Sequence, residues 1–372
     1  MPAASILIKP ASSGCNIACK YCFYHAIAQG REVANFGIMS DETLEELVRQ
    51  TIAYAEGFAS FAFQGGEPTL AGLDFFKKAV ELQKRYNKKG LIIQNTIQTN
   101  GTLITEEWAE FLAKNDFLVG LSLDGPRGVN DFCRVDRQGG SIFDREMETV
   151  KLFRKHGVKF NICSVVTTKT ADKIGSVYNF FKQKGFDFMQ FIPCLDEGEC
   201  MKEYSLEPKA YGEFLCRLFD MWYNDFMSGK AVEIRQFTNY AQIAAGFAPE
   251  ECGMCGRCVV YFAVESDGSV YPCDFYTQDE MKLGDISEGF ATLWNSKKAQ
   301  DFMESSIGKP KECLECGYYG LCRGGCRRWR DVYGGGLGVN YLCEGYKVFF
   351  SHCGERVEKL GEMIRRRHST LL

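Results

Sequence analysis

Three cysteines near the start of the chain carry the first chemical signal. Cys15, Cys19 and Cys22 stand at a C-x3-C-x2-C spacing, directly after an apolar run from Ile6 to Ile8 and interleaved with Tyr21, Phe23 and Tyr24. Thiolates are soft ligands that hold iron–sulfur clusters or zinc. Three of them on a four-iron cluster leave one iron without a protein ligand. An open iron can bind a small molecule and pass it an electron. Zinc with a distant fourth ligand, or a loop of buried free thiols, is the competing reading of the same residues.

A second signal lies toward the other end. Cys252-x2-Cys255-x2-Cys258 is followed by Cys273, by Cys313-x2-Cys316-x5-Cys322-x3-Cys326, and by Cys343. Zinc ribbons use the same C-x2-C pairs, so zinc stays open here as well. The Asp267-Gly268 pair between alternating apolar runs signals a β-hairpin, which would fold Cys273 back toward Cys258. Cys133, Cys163, Cys194, Cys200, Cys216 and Cys353 have no such company and are expected to be small buried hydrophobes. No pair among the four histidines has zinc-protease or zinc-finger spacing, and none is assigned a role.

The composition narrows the class. Charged residues make up 25% of the 372-residue chain and hydrophobic ones 45%, as in ordinary globular proteins. A net charge of −4 gives no reason to expect nucleic acid, whose binding needs a clustered basic surface. No apolar run reaches membrane-spanning length, and Met-Pro-Ala-Ala-Ser does not open a secretory signal. The expectation is a cytoplasmic protein with no membrane or nucleic-acid partner. Eighteen cysteines in a reducing compartment suit metal better than disulfides.

The elements that must position these residues alternate. Strand-like runs at Ser5–Ile8, Ser60–Gln64, Leu91–Thr99, Phe117–Leu123, Lys159–Thr167 and Asp187–Ile192 are separated by amphipathic stretches. These are Ser40–Glu56, Asp74–Tyr86, Thr105–Lys114, Ile142–His156 and Ala171–Lys184. Such alternation implies parallel strands with crossovers, hence an α/β partial (β/α)6 barrel over residues 1–195. A helical linker is expected at 196–250, a cysteine-rich domain at 251–353 and a C-terminal helix at 354–372. In barrels the reactive residues collect at the C-terminal ends of the strands. Gln64-Gly65-Gly66-Glu67-Pro68, Gln98-Thr99-Asn100-Gly101 and Ser122-Leu123-Asp124-Gly125 all fall at such ends.

The cysteine triad with its aromatic spacers resembles the radical S-adenosylmethionine (SAM) enzymes, and the tail resembles their SPASM extension. The runs Phe61–Gly72, Ser266–Tyr276 and Cys322-Arg-Gly-Gly-Cys326-Arg-Arg look like anaerobic sulfatase-maturating enzymes, over nearly the full chain. The resemblance implies SAM and three 4Fe–4S clusters, one SAM-binding and two auxiliary. The first cluster takes Cys15, Cys19 and Cys22. One auxiliary cluster takes Cys252, Cys258, Cys273 and Cys326, and the other Cys313, Cys316, Cys322 and Cys343. Cys255 departs from the pattern: it either replaces Cys252 or Cys258 as a ligand or is a spare thiol, and a spare thiol is expected. Tyr21, Tyr24, Gly66, Glu67, Ser122, Arg134 and Leu195 are implied around SAM, and Gln64 and Gln98 around the substrate.

The implied reaction oxidises a cysteine or serine in a Cys/Ser-x-Pro-x-Arg segment of an unfolded sulfatase polypeptide to Cα-formylglycine. Asp274 is the implied base, and a flavodoxin- or ferredoxin-like protein the electron donor. An Asx turn before Phe275 is the plainer reading of Asp274. The alternative function is a SPASM maturase that crosslinks a ribosomal precursor peptide. With the first motif at residue 15, the peptide-binding domain such enzymes often carry is not expected ahead of it.

Overall fold

In the computed structural model, residues 4–194, 202–230, 232–334 and 338–371 are described. The chain forms two compact units. One comprises residues 1–123, 133–161 and 260–302, the other residues 124–132, 162–259 and 303–372.

The first unit is built on β1 (Ala4–Ile8), β2 (Phe58–Phe63), β3 (Ile92–Thr99) and β4 (Leu118–Ser122), each parallel to the next. Their Val, Ile, Phe and Thr content suits strands covered on both faces. The helices Asp41–Tyr54, Leu73–Tyr86, Glu106–Lys114 and Phe143–His156 lie close to the stretches expected. Ser40 caps the first of them by accepting from the Thr43 amide, and Thr105 caps the third through Trp108. Phe63, Phe75, Phe76, Trp108, Phe111 and Phe117 pack ring to ring beneath the sheet.

The expected hairpin is present. β8 (Ala263–Val264) and β9 (Ser269–Tyr271) pair antiparallel, with Gly268 turning at φ +92°. Sequence gave no sign of where it docks. β8 lies parallel to β1, with Leu7 opposite Ala263, so the hairpin continues the sheet past its first strand. β10 (Gly284–Asp285) then pairs with β9.

The second unit carries β6 (Phe188–Pro193) and β7 (Glu233–Ile234), parallel to one another; β5 (Lys159–Val166), which starts at the end of the first unit, pairs parallel with β6. The expected helix at Ala171–Lys184 is two pieces, Thr168–Asp172 and Ile174–Gln183, interrupted at Lys173. Long helices Pro208–Met227 and Cys343–Leu371 pack together, and Arg235–Ala244 lies against the latter. The last helix therefore begins at Cys343 rather than at residue 354. Phe219, Trp222, Phe237 and Phe349 form the aromatic core between them. Among the described residues, no helix is long and apolar enough to cross a membrane.

Candidate active site

The cysteine loop of the first unit is held from three sides. The amides of Ala18 and Lys20 donate to the carbonyls of Val135 and Cys133, so the loop is paired with the segment that carries Arg134. The amide of Glu67 donates to the Gly14 carbonyl at 2.7 Å. Gly66 sits at φ +55°, and a Cβ there would lie 2.2 Å from the Gly14 carbonyl oxygen, so only glycine fits this approach. From the third side, Asn100 Nδ2 reaches Asn16 Oδ1 at 2.9 Å and Cys15 Sγ at 3.8 Å.

Glu67 ties these parts together. Its carboxylate accepts from the Thr69 amide (3.1 Å), Thr69 Oγ1 (2.6 Å), Thr99 Oγ1 (2.7 Å) and the Asn100 amide (2.8 Å). Burial raises its pKa, while these bonds pull it back down. Both oxygens are spent inside the fold.

The thiols of Cys15 and Cys22 are pushed up, first by burial. A bare thiolate is therefore disfavoured there, and a bound cationic centre is what would make these sulfurs thiolates. Arg134 is buried. Its guanidinium pairs with the buried Glu146 at 2.9 Å, and Nη1 lies 3.2 Å from Tyr21 Oη and 3.9 Å from Cys19 Sγ. Gln98 Nε2 donates to Ser122 Oγ at 2.9 Å. The structure thus brings Cys15, Cys19, Tyr21, Gly66, Glu67 and Arg134 around one loop. Leu195 lies outside the described residues, as does Cys200.

A second constellation lies where β1 and β2 end beside the hairpin. Tyr24 Oη donates to Asp274 Oδ2 at 2.5 Å, and Gln64 Nε2 lies 3.1 Å from both Tyr24 Oη and Asp274 Oδ2. Asp274 is buried, and burial raises its pKa; Lys9 is the largest opposing influence. Its other oxygen, Oδ1, is buried without a hydrogen-bond partner among the described residues. Lys9 itself pairs with the buried Glu265 at 2.6 Å, Arg31 reaches the same carboxylate oxygen at 2.6 Å, and Lys9 Nζ stands 5.0 Å from the Tyr24 ring centre.

Sequence reasoning missed Lys9, Arg31, Glu146 and Glu265. Glu146 had a readable sign: it lies on the same helical face as Thr149, Val150 and Phe153, all buried. Lys9 follows the apolar strand directly, but its pairing with Glu265 depends on the hairpin's docking against β1.

The second unit holds two further sets of thiols. Cys322 is pushed up to about 12, by burial first and then by Cys343, Cys313 and Cys316, so these four sulfurs feel one another. Cys326 is likewise raised to about 12 by burial and by Cys252 and Cys258. Cys252 rises to about 11, from desolvation of its sulfur, although the residue as a whole is exposed. Such sets favour protons or metal over free thiolates, as cluster ligands do. Cys255 is exposed, with its thiol near the Pro249 and Glu251 carbonyls at 3.9 and 3.7 Å.

Comparison with known proteins fits this geometry. Residues 10–181 match the Radical SAM superfamily and residues 252–317 the SPASM iron-sulfur cluster-binding domain. A cysteine-type anaerobic sulfatase-maturating enzyme of Clostridium perfringens is 48% identical over 370 residues, spanning 98% of this chain and 100% of the relative. A serine-type anaerobic sulfatase-maturating enzyme of Bacteroides thetaiotaomicron is 34% identical, over 93% of this chain and 88% of the relative. The solved structure of native anSMEcpe with bound AdoMet and Cp18Cys peptide superposes with a TM-score of 0.93 at 47% identity, covering 98% of this chain and 100% of that one.

Proposed function

We propose residue roles for this chain, which belongs to the radical SAM superfamily and, within it, to the anaerobic sulfatase-maturating enzymes. It is a radical SAM enzyme with a partial (β/α) barrel and a SPASM region, and it oxidises a cysteine or serine of a sulfatase segment to Cα-formylglycine. Iron–sulfur clusters go with both matched domains, and SAM with the first of them. When bound, they supply the radical that removes a hydrogen atom from the target Cβ and the acceptor for one further electron. What remains for the protein is to hold these groups, to place the peptide and to take a proton from the target thiol or hydroxyl.

The observation that carries the reading is the free Oδ1 of Asp274. Tyr24 and Gln64 occupy Oδ2 and fix the carboxylate's direction, which leaves Oδ1 as a buried acceptor for one S–H or O–H. A general base must stand within hydrogen-bond reach of the proton it takes. With cysteine as target, loss of the hydrogen atom, the proton and the electron leaves a thioaldehyde, which water converts to the aldehyde and hydrogen sulfide. With serine the aldehyde forms directly.

Cys15, Cys19 and Cys22 hold the SAM-binding cluster. Arg134, fixed by Glu146, and Tyr21, Gly66, Ser122 and Leu195 serve SAM. Glu67 serves it by shaping the loop rather than through a free oxygen. Gln98 sits on Ser122 and, with Gln64, faces the peptide. The two auxiliary clusters take the cysteine sets given above, about twelve irons per chain in total with the first. A flavodoxin- or ferredoxin-like donor supplies electrons. The crosslinking maturase has less support, because the full-length relatives above are sulfatase-maturating enzymes.

The test is anaerobic incubation of the iron-loaded enzyme with SAM, a reductant and a peptide containing Cys-x-Pro-x-Arg or its serine counterpart, followed by mass spectrometry and aldehyde trapping. An aldehyde product is expected, and a Cys15/Cys19/Cys22→Ala variant should make no deoxyadenosine. A crosslinked peptide without aldehyde would overturn the assignment in favour of the maturase.

A further inference from the structure

Two thiols outside both auxiliary sets meet in the second unit. The helices Pro208–Met227 and Cys343–Leu371 approach so closely at Gly212 and Gly345 that a Cβ on Gly345 would lie 2.2 Å from the Pro208 carbonyl oxygen. One turn beyond Gly212 stands Cys216, its Sγ 3.8 Å from the Val348 carbonyl. One further turn along the partner helix stand His352 and Cys353. A ring nitrogen of His352 and the two sulfurs all lie within 4.8 Å of one another.

We propose that Cys216, His352 and Cys353 form a binding site for a thiophilic divalent metal ion of the zinc class. Tetrahedral zinc, with Zn–S of ~2.3 Å and Zn–N of ~2.0 Å, separates its ligand atoms by under about 4 Å, so these side chains need only small rotations. The site is closed on one side and open on the other. Cys353 is fully buried at 0% exposure, Cys216 is half-buried and His352 is exposed, which leaves the fourth position to a solvent molecule.

The surroundings are those of a ligating imidazole. Asp220, one turn on from Cys216, stands 3.0 Å from His352 Nε2. A carboxylate on one ring nitrogen fixes the ring and leaves the other nitrogen's lone pair for the metal. Arg356 pairs with Asp220 at 2.7 Å and places Nη2 3.7 Å from Cys353 Sγ. Two thiolates and one carboxylate carry three negative charges, and Arg356 with a divalent ion carries three positive ones. The filled site is electroneutral. A Cys216–Cys353 disulfide is the rival use of the two sulfurs, but it gives His352 and Asp220 nothing to do. The metal would join the helix that starts at Cys343 to its neighbour.

The test counts zinc on the full, anaerobically iron-loaded enzyme. Protein is equilibrated with zinc, passed through a desalting column and analysed for both metals. Wild type should keep about one zinc per chain more than Cys216→Ser/Cys353→Ser, with iron and deoxyadenosine formation equal in the two. Asp220→Asn should weaken zinc about 10- to 100-fold against a chromophoric chelator. Because Cys353 is buried and the double variant risks misfolding, the exposed His352→Ala provides a second arm and should release zinc at chelator concentrations that wild type withstands. Equal zinc in wild type and His352→Ala would overturn the site. So would a Cys216–Cys353 disulfide, found by mass spectrometry in protein never exposed to air.

Discussion

Glu67 and Asp274 are both buried carboxylates of the first unit, and burial is the largest influence raising the pKa of each. They differ in how their oxygens are used. Glu67 accepts four hydrogen bonds over two oxygens from Thr69, Thr99 and Asn100. Asp274 has its two bonds on Oδ2 and none on Oδ1. Leaving a buried acceptor unmet costs on the order of 1–3 kcal/mol, which a fold avoids unless something else is to fill the place. Glu67 is thus a fastening, and Asp274 a fastening on one side with an open acceptor on the other.

The largest effect should come from breaking the fastening. Glu67→Ala leaves four donors without their acceptor, two of them on the segment that also reaches Cys15. Iron content, deoxyadenosine and aldehyde should all fall to near background, with a clear loss in thermal midpoint measured anaerobically. A variant that keeps full iron and full deoxyadenosine would show that Glu67 does not organise the loop.

Asp274→Asn should separate the two carboxylates. It keeps size and most of the hydrogen-bonding geometry but cannot take a proton near neutral pH. Aldehyde formation should drop about a hundred- to ten-thousand-fold, the usual range for a general base. Deoxyadenosine formation with peptide present should survive better, and the thermal midpoint should stay close to wild type. If the midpoint fell as far as in Glu67→Ala, the two carboxylates would be doing the same job.

Tyr24→Phe sharpens the comparison further. It removes one donor from Oδ2 and leaves Gln64 in place. A hydrogen bond to a charged group contributes about 1.5–3 kcal/mol, so the aldehyde rate should fall roughly 10- to 100-fold. Product formation unchanged by this variant would mean that the direction of the carboxylate does not matter. The smallest effect belongs to Cys255→Ser, whose exposed thiol should be spare: iron content and activity should equal wild type. Loss of one cluster's worth of iron here, with Cys252→Ser unaffected, would shift the ligand assignment by three residues.

Much of this protein was legible along the chain. The six strands and the helices between them lie within a few residues of their expected places, because apolar periods of two and of three to four residues are local properties. The Asp267-Gly268 turn was readable for the same reason, since two residues decide its type. The cysteine sets could be marked because cluster ligands come in short, countable spacings. Asp274 was implied as the base, Gln64 around the substrate and Tyr24 around SAM, and the structure brings the three side chains together.

What only the tertiary structure decided is pairing over distance. The hairpin could be foreseen but not its docking on β1, which sets Glu265 against Lys9 and Arg31. Arg134 stood out in sequence, whereas its buried partner Glu146 looked like one more helical acid. Cys216 and Cys353 read as small core hydrophobes, and along the chain they could read as nothing else. An isolated thiol on an apolar helical face is the same whether it meets a methyl group or another thiol. The difference lies in which two faces pack, and that is settled by Gly212 and Gly345, where the absence of side chains lets the helices touch.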